Sequence, residues 1–259
     1  MPTKQELLAA VDESPAAVAD HDKARWLSLF APTAIVNDPV GSVPHRGAAQ
    51  LARFYDTFIA PNAVRFRVDH DVVCGDEVLR DVTLEIQMSD RVTLLVPAHL
   101  RYVMTGDAQI DGLYAHWELP AMVGQLAGKG LAAAAVSGRL TLGLLSNQRL
   151  GGTLGFTRGF AGVGRRGKRR AVELLAALGT GDYTNAEQEF AASPVLRFGR
   201  QTLRSPADLG ARLAGWRTGK TIAAGRFVSV SLTDGQAHAV AMLEFSGRSV
   251  MSMTVFVDC

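Results

Sequence analysis

The chain has 259 residues, of which 47% are hydrophobic and 20% are charged, and this composition excludes the disordered, collagen-like and disulfide-rich classes. The formal net charge of +2 is unevenly distributed: residues 1–119 carry 10 basic and 17 acidic side chains, residues 120–170 carry 9 basic and no acidic ones, and residues 171–259 carry 8 of each. The sequence therefore predicts an acidic domain over 1–119, a basic, Ala/Gly/Leu-rich, helical connector over 120–167, and a second domain over 168–259.

Neither a targeting segment nor a transmembrane helix is predicted. Charged side chains at Lys4, Glu6 and Asp12 interrupt any apolar run near the N-terminus. Beyond Lys129 no uncharged run exceeds nine residues, whereas a spanning helix needs ~18 or more apolar residues. The two cysteines are too few for a disulfide framework or a structural zinc site. We expect a cytoplasmic protein.

The first 119 residues read as helices followed by strands. Apolar spacing predicts helices over 4–13, 15–30 and 47–60, with a break or kink near Ser14 because Pro15 suits a first helical turn. A short strand is predicted over 34–38. Four longer strands, separated by turn pairs, are predicted over 63–74, 77–88, 91–104 and 108–119. This order indicates an α+β fold in which a curved antiparallel sheet wraps around helices.

The same order of elements recurs after the connector. Residues 168–192 repeat the two-helix opening, and Asp182 and Phe190 are spaced like Asp22 and Phe30 in the first half. A strand over 195–198, a helix over 205–216 and strands over 220–232, 236–246 and 248–257 complete the copy. The sequence thus predicts a tandem duplication.

The basic connector allows two interpretations. Its charge suits a membrane-surface or nucleic-acid element, but Lys129, Arg139 and Arg149 do not fall on one face of a helix. The basic run over 165–170 has no aromatic side chain to stack on bases. We therefore favour an apolar connector that packs on both halves, and we expect no nucleic-acid partner.

The segment with chemical content is Asn-Asp-Pro-Val-Gly-Ser-Val-Pro over residues 37–44. It places Asp38 at the end of a predicted strand, beneath an apolar helix and before a Pro/Gly turn. A poorly solvated carboxyl has a raised pKa, which suits a general base. The alternative is an ordinary turn residue, since Asp before Pro is common in turns.

The pattern from Asp38 to Tyr55 resembles the ketosteroid isomerase branch of the NTF2-like superfamily, which includes SnoaL-type polyketide cyclases. The resemblance covers residues 3–119 in element order and implies two tandem NTF2-like, cystatin-like cones, the first enclosing an apolar pocket. It assigns Asp38 as the base that moves a proton between two carbons of a 3-oxo-steroid. The predicted ligand contacts are Ser14, Val18, Phe54, Tyr55, Ala98, Leu100, Leu113 and Trp117.

The sequence departs from that family at its oxyanion hole. The family pairs a helix-1 tyrosine with a protonated aspartate on a late strand, and the matching positions here are Ser14 and Ala98. Alternation along a strand places Ala98, Leu100 and Tyr102 on one face. Tyr102 is therefore the candidate substitute donor and the second predicted catalytic residue, with a plain wall aromatic as its alternative. By the same alternation His99 faces outward, as a solvated or interface histidine.

No metal or cofactor site is predicted. On the first long strand only Asp69 and Asp71 converge by alternation, which is too little for a closed metal site. In the second copy Phe198 stands at the position of Asp38, so that half is expected to be structural. It would fill its own pocket or pair with the first sheet as an intramolecular pseudo-dimer, and a homodimer is also left open.

The leading functional hypothesis is an isomerase- or cyclase-like enzyme in which Asp38 transfers a proton on a hydrophobic carbonyl compound, a steroid or polyketide. The first alternative is a non-catalytic protein that binds such a ligand. The second is an epoxide hydrolase or cyclase, which would need Asp69 or Asp71 to reach the pocket as an acid. The third is a scaffold that binds a partner through the basic connector.

Overall fold

The computed structural model describes residues 2–130, 136, 138 and 162–259. It contains two units, each a six-stranded sheet wrapped around helices. We call residues 2–130 the N-terminal unit and residues 162–259 the C-terminal unit. The prediction of an α+β fold with two such units in tandem is confirmed. Most of the predicted connector over 120–167 lies outside the described residues.

The N-terminal unit follows the predicted order of helices and then strands. Its helices are α1 (Lys4–Ala19), α2 (Lys23–Ser28), α3 (Gly47–Phe54), which continues into a π-helical turn (Tyr55–Ile59), and α4 (Leu119–Ala127). Its strands are β1 (Phe30–Asn37), β2 (His45–Arg46), β3 (Ala63–Cys74), β4 (Glu77–Ser89), β5 (Val92–Met104) and β6 (Ile110–His116). The spatial order is β2-β1-β6-β5-β4-β3, and all neighbours are antiparallel except β1 and β6. The predicted meander is therefore β3 to β6.

The predicted break near Ser14 is wrong, because α1 runs without interruption through Pro15. Thr3 and Glu6 form a capping box that starts the helix. The chain breaks later, where Asp22 accepts a hydrogen bond from the Arg25 N–H (2.9 Å) and caps α2. Burial of one apolar side of α1 outweighs the single hydrogen bond that a proline removes.

The C-terminal unit repeats this plan. Its helices are α5 (Gly164–Thr180), α6 (Tyr183–Glu189) and α7 (Pro206–Leu213), and its strands are β7 (Phe190–Phe198), β8 (Gln201–Leu203), β9 (Arg217–Ala224), β10 (Phe227–Thr233), β11 (His238–Ser246) and β12 (Ser249–Val257). The order β8-β7-β12-β11-β10-β9 matches the first sheet. The single strand predicted over 220–232 is wrong: Gly225 adopts φ +54°, and the chain turns there between β9 and β10.

Equivalent residues take equivalent places in the two units. Asp182 caps α6 as Asp22 caps α2, and Phe190 begins β7 as Phe30 begins β1. Phe198 ends β7 and packs against the core of its own unit. It takes the position that Asp38 takes after β1, so the C-terminal unit has an aromatic ring where the N-terminal unit has a carboxylate.

The outer faces of the two sheets pack against each other. Their apolar contact joins three residues of β3 and β4 to three of β11 and β12: Val72, Cys74, Leu79, Val240, Met242 and Phe256. Such a contact buries the sheet faces that are opposite the helices. The two halves therefore pack against each other within one chain.

A buried polar network lies within this interface. The His99 ring hydrogen-bonds Ser229 through Nδ1 (2.7 Å) and Ser231 through Nε2 (2.8 Å), and Lys220 contacts Asp81. Burial opposes the charged form of Asp81, but His99 and Lys220 hold the pKa of that carboxyl well below its usual range. His99 faces away from the helices, as predicted. Of the two predicted alternatives, a solvated histidine and an interface histidine, the structure shows the second.

Among the described residues, no helix combines the length and the hydropathy that crossing a bilayer requires.

Candidate active site

The N-terminal unit encloses a cavity of about 160 Å³ between its sheet and its helices. One water molecule needs only about 10–15 Å³, so a small ligand fits without rearrangement. The polar residues of the lining are Ser14, Asp38, Asn62 and Tyr102, and the remaining lining residues are hydrophobic. Few polar groups on an otherwise apolar wall are typical of a small-molecule site.

Most of the predicted contacts lie on this wall. The structure places these eight of them there: Ser14, Val18, Asp38, Phe54, Leu100, Tyr102, Leu113 and Trp117. Tyr55 and Ala98 do not line the cavity. Tyr55 begins the π-helical turn and packs against Trp26, with ring centroids 5.5 Å apart, and its buried hydroxyl has no hydrogen-bond partner among the described residues. Ala98 is fully buried in the core around the cavity.

Asp38 follows the last residue of β1, and the turn behind it is fixed by backbone hydrogen bonds. The Val40 N–H donates to the Ala115 carbonyl (2.9 Å), and the Ser42 N–H donates to the Pro39 carbonyl (3.0 Å). Trp117 donates its indole N–H to Asp38 Oδ1 (2.6 Å). The indole N–H thus engages one oxygen of the carboxylate and fixes its orientation.

The apolar surroundings of Asp38 disfavour the charged form of its carboxyl group. Burial among apolar side chains raises the pKa of Asp38 to about 6, and the Trp117 hydrogen bond lowers it in part. Asp38 is therefore ionised at neutral pH yet close to its titration midpoint. This is the condition under which a carboxylate serves as a general base.

A second polar group faces the same cavity. Tyr102 is fully buried on β5, and burial, together with Asp71 and Asp38, raises the pKa of its hydroxyl to about 12 against the opposing effects of Arg80 and Ser14. Ser14 of α1 hydrogen-bonds Tyr102. A tyrosine that keeps its proton is a hydrogen-bond donor, so Tyr102 can donate to a ligand oxygen.

A buried arginine lies beside this hydroxyl pair and was not foreseen from the sequence. Arg80 is 1% exposed; its Nε and Nη2 each donate to Asp71 at 2.8 Å, and Nη2 also donates to Asp12 at 2.5 Å. Asp12 lies two residues before Ser14 on α1. Arg80 therefore fixes the helix that carries Ser14 to the strand next to Tyr102. The sequence feature that could have predicted this buried arginine is its position on β4, where it shares one face with Val78 and Val82.

The expectation that Asp69 and Asp71 converge is wrong. The register of β3 against β4 shifts between Val68 and His70, which leaves Asp69 as the extra residue of a β-bulge. Asp69 consequently pairs with Lys220 (2.9 Å), while Asp71 pairs with Arg80. Neither lines the cavity. In the described part of the chain, no group of three or more His, Cys, Asp and Glu side chains is arranged to hold a metal ion.

Helix α4 also contributes to the wall, although the sequence assigned its residues to the connector. Leu119, Met122, Val123 and Leu126 line the cavity. The Gln125 amide bonds both backbone groups of Leu95, accepting from its N–H (3.1 Å) and donating to its carbonyl (2.7 Å). The first part of the predicted connector therefore packs with the N-terminal unit.

Replacing Trp117 with phenylalanine should raise the pKa of Asp38 above 6, because the indole N–H favours the charged carboxylate. The lost hydrogen bond should also cost about 1 kcal/mol of stability. A carboxyl NMR titration of Asp38 measures the first effect, and urea unfolding measures the second. A downward shift of the midpoint would contradict the assigned contact.

Comparison with known proteins shows what this unit is similar to. Residues 11–110 match the family model of the SnoaL-like domain, which confirms the predicted resemblance for that part of the chain.

Three solved structures illustrate what the chain is similar to. A Δ5-3-ketosteroid isomerase from Mycobacterium sp. is 28% identical, with a TM-score of 0.43 over 45% of this chain and 96% of that chain. A Mycobacterium tuberculosis protein in complex with estradiol-17β-hemisuccinate is 23% identical, with a TM-score of 0.42 over 44% and 95%. The epoxide hydrolase/cyclase-like enzyme SalBIII of salinomycin pyran ring formation is 21% identical, with a TM-score of 0.43 over 46% and 96%.

Proposed function

We propose that the N-terminal unit is an isomerase- or cyclase-like enzyme in which Asp38 transfers a proton on a hydrophobic carbonyl compound, a steroid or a polyketide. The observation that carries this proposal is the Asp38 carboxylate, which faces an apolar cavity and has a pKa raised to about 6. An aspartate whose role was only to stabilise the turn would not be expected to face an apolar cavity without a charged partner.

The mechanism follows from the groups that face the cavity. The Asp38 carboxylate removes a proton from the carbon next to the ligand carbonyl, and the electron pair of that C–H bond moves toward the carbonyl oxygen. Tyr102, paired with Ser14, donates a hydrogen bond to the oxygen as its negative charge grows. Protonated Asp38 then returns the proton to another carbon. Trp117 holds one carboxyl oxygen throughout.

The first alternative is a binding protein that holds a similar ligand without converting it. In its favour, Ser14 already hydrogen-bonds Tyr102, so this pair presents one hydroxyl donor, that of Tyr102, to a ligand oxygen. Incubation with a Δ5-3-oxo-steroid separates the two functions. Growth of the ultraviolet absorbance of the conjugated enone supports the enzyme, whereas saturable binding without that absorbance supports the binding protein.

The other two alternatives lack support in the described residues. Epoxide opening needs a second acid, but Asp69 and Asp71 are ion-paired away from the cavity. The scaffold hypothesis depends on basic connector residues that mostly lie outside the described part of the chain. We therefore retain the proton-transfer enzyme as the proposed function.

Replacing Tyr102 with phenylalanine should lower kcat by about 10²-fold or more, because one preformed donor to a developing oxyanion is removed. Ligand affinity should change much less. Tyr55→Phe is the matched control, since it also removes a buried hydroxyl, but one that lies off the cavity and has no partner. Equal activity of Tyr102→Phe and wild type would show that Tyr102 only lines the cavity and does not stabilise the oxyanion.

A further inference from the structure

The two cysteines of the chain meet at the interface between the units. Cys74 is the last residue of β3 in the N-terminal unit, and Cys259 follows β12 in the C-terminal unit. Their Sγ atoms are 2.6 Å apart. The two residues are 185 positions apart in the sequence, so no local pattern brings them together.

Backbone contacts hold the second cysteine against the first. The Cys259 N–H donates to the Val73 carbonyl (3.0 Å), and the Val73 N–H donates to Asp258 Oδ1 (2.9 Å). Asp258 also pairs with Lys4 at 2.7 Å. Residues 258 and 259 are therefore fixed along the end of β3 by contacts other than the sulfur atoms.

The two thiols differ in accessibility. Cys259 is exposed, whereas Cys74 is buried at the wall of a groove of about 440 Å³ between the units. Burial, together with the neighbouring Cys259, raises the pKa of the Cys74 thiol to about 12. The thiolate is the reactive form of cysteine, and the raised pKa of Cys74 disfavours it. The exposed Cys259 is therefore oxidised first, and Cys74 lies where it can react with the resulting sulfenic acid.

We propose that Cys74 and Cys259 are an oxidative modification site, closed to an interunit disulfide by a two-electron oxidant such as hydrogen peroxide. The Cys259 thiol loses its proton and the thiolate attacks one peroxide oxygen; the O–O bond breaks, and the departing hydroxide takes up that proton as water, giving a sulfenic acid. Cys74 gives up its proton and attacks the Cys259 sulfur, and the displaced hydroxide takes that proton as water. Two thiols lose two electrons, and one peroxide becomes two waters.

The consequence is a covalent tie between the sheets of the two units. A cross-link over so long a stretch of chain restricts the unfolded state strongly. Oxidation should therefore raise Tm by roughly 5–10 °C, and reduction should reverse the change. Neither cysteine lines the cavity that Asp38 faces, so this inference does not depend on the proposed function.

The test uses the full chain, reduced with dithiothreitol, desalted and treated with one equivalent of hydrogen peroxide. We expect an intact mass lower by two hydrogen atoms, no uptake of iodoacetamide under denaturing conditions, and a peptide that joins residues 74 and 259. The Tm difference between oxidised and reduced protein should vanish in Cys259→Ser, which changes an exposed residue and should fold normally. Cys74→Ala is the matched variant at the buried position.

Three results would overturn the proposal. Oxidised protein that still takes up two alkyl groups has not formed the bond. Added oxygen atoms that persist on Cys259 mean that Cys74 does not reach it. A cross-link between two chains on non-reducing gels assigns the thiols to an intermolecular bond.

Discussion

Asp38→Asn should lower kcat of the proposed proton transfer by about 10²–10⁴-fold while ligand affinity stays nearly unchanged. Asparagine keeps the size of the side chain and still accepts the Trp117 hydrogen bond, but it has no basic oxygen. A steroid isomerisation assay combined with a binding titration measures both quantities. Retained turnover would remove Asp38 from the chemistry, even if the fold and the ligand were correct.

The pH dependence of wild-type activity tests the same group. Asp38 must be ionised to accept a proton, so kcat/KM of the free enzyme should rise with pH through about 6. Trp117→Phe should move that midpoint upward. A profile that is flat between pH 5 and 7 would contradict the role of Asp38 as the base.

Asp38→Asn should also stabilise the protein above neutral pH. The carboxyl binds its proton more tightly in the folded state, where its pKa is about 6, than in the unfolded state, where it is 3.8. The free energy of unfolding therefore falls as pH rises through that window, by about 3 kcal/mol in all. Asp38→Asn should be more stable by up to this amount at pH 8 and should lose the advantage below pH 4.

Urea unfolding at several pH values checks this expectation. Asp90→Asn is the control, because Asp90 is an exposed turn residue and its replacement should have little effect on stability. If Asp38→Asn were less stable than wild type across the whole range, the desolvation of the carboxylate would be disproved.

Arg80→Met should destabilise the protein by about 3–5 kcal/mol, the usual consequence of removing one partner from a buried ion pair. Asp71 loses two hydrogen bonds and is left partly buried, and Asp12 loses its tie to the sheet. Arg67→Met is the matched control: Arg67 pairs with Glu85 on the neighbouring strand, but its side chain is 63% exposed. The control should cost less than about 1 kcal/mol.

Urea unfolding of both variants gives the comparison. Because Arg80 also fixes α1, Arg80→Met should lower kcat by weakening the Ser14–Tyr102 contact, whereas Arg67→Met should leave it unchanged. Equal stability of the two variants would show that Arg80 contributes no more than a surface ion pair.

Much of the N-terminal unit could be predicted because its local signals agree with its tertiary structure. Alternating residues and turn pairs placed β3 to β6 within a few residues, and the spacing of Asp22 and Asp182 revealed the repeat. Asp38 could be singled out because strand, proline and glycine together fixed its position. These features are encoded by neighbours in the sequence.

The remaining features depend on contacts between distant residues. Packing of α1 overrides the local tendency of Pro15, and the bulge at Asp69 reverses which acidic side chains face inward. The ion pairs of Arg80 depend on Asp71 of β3 and on Asp12 of α1, which are far apart in the sequence. The approach of Cys74 to Cys259 depends on how the two units pack together, and the spacing of apolar residues in the sequence does not indicate this packing.

The docking of the two sheets within one chain removes a constraint that a symmetric homodimer obeys. Two-fold symmetry presents the same patch from both subunits, so a buried histidine and aspartate on one side would recur on the other. Here Asp81 and His99 meet Lys220, Ser229 and Ser231 instead. Because both sheets belong to one chain, their facing surfaces carry different residues, with a histidine and an aspartate on one side and a lysine and two serines on the other.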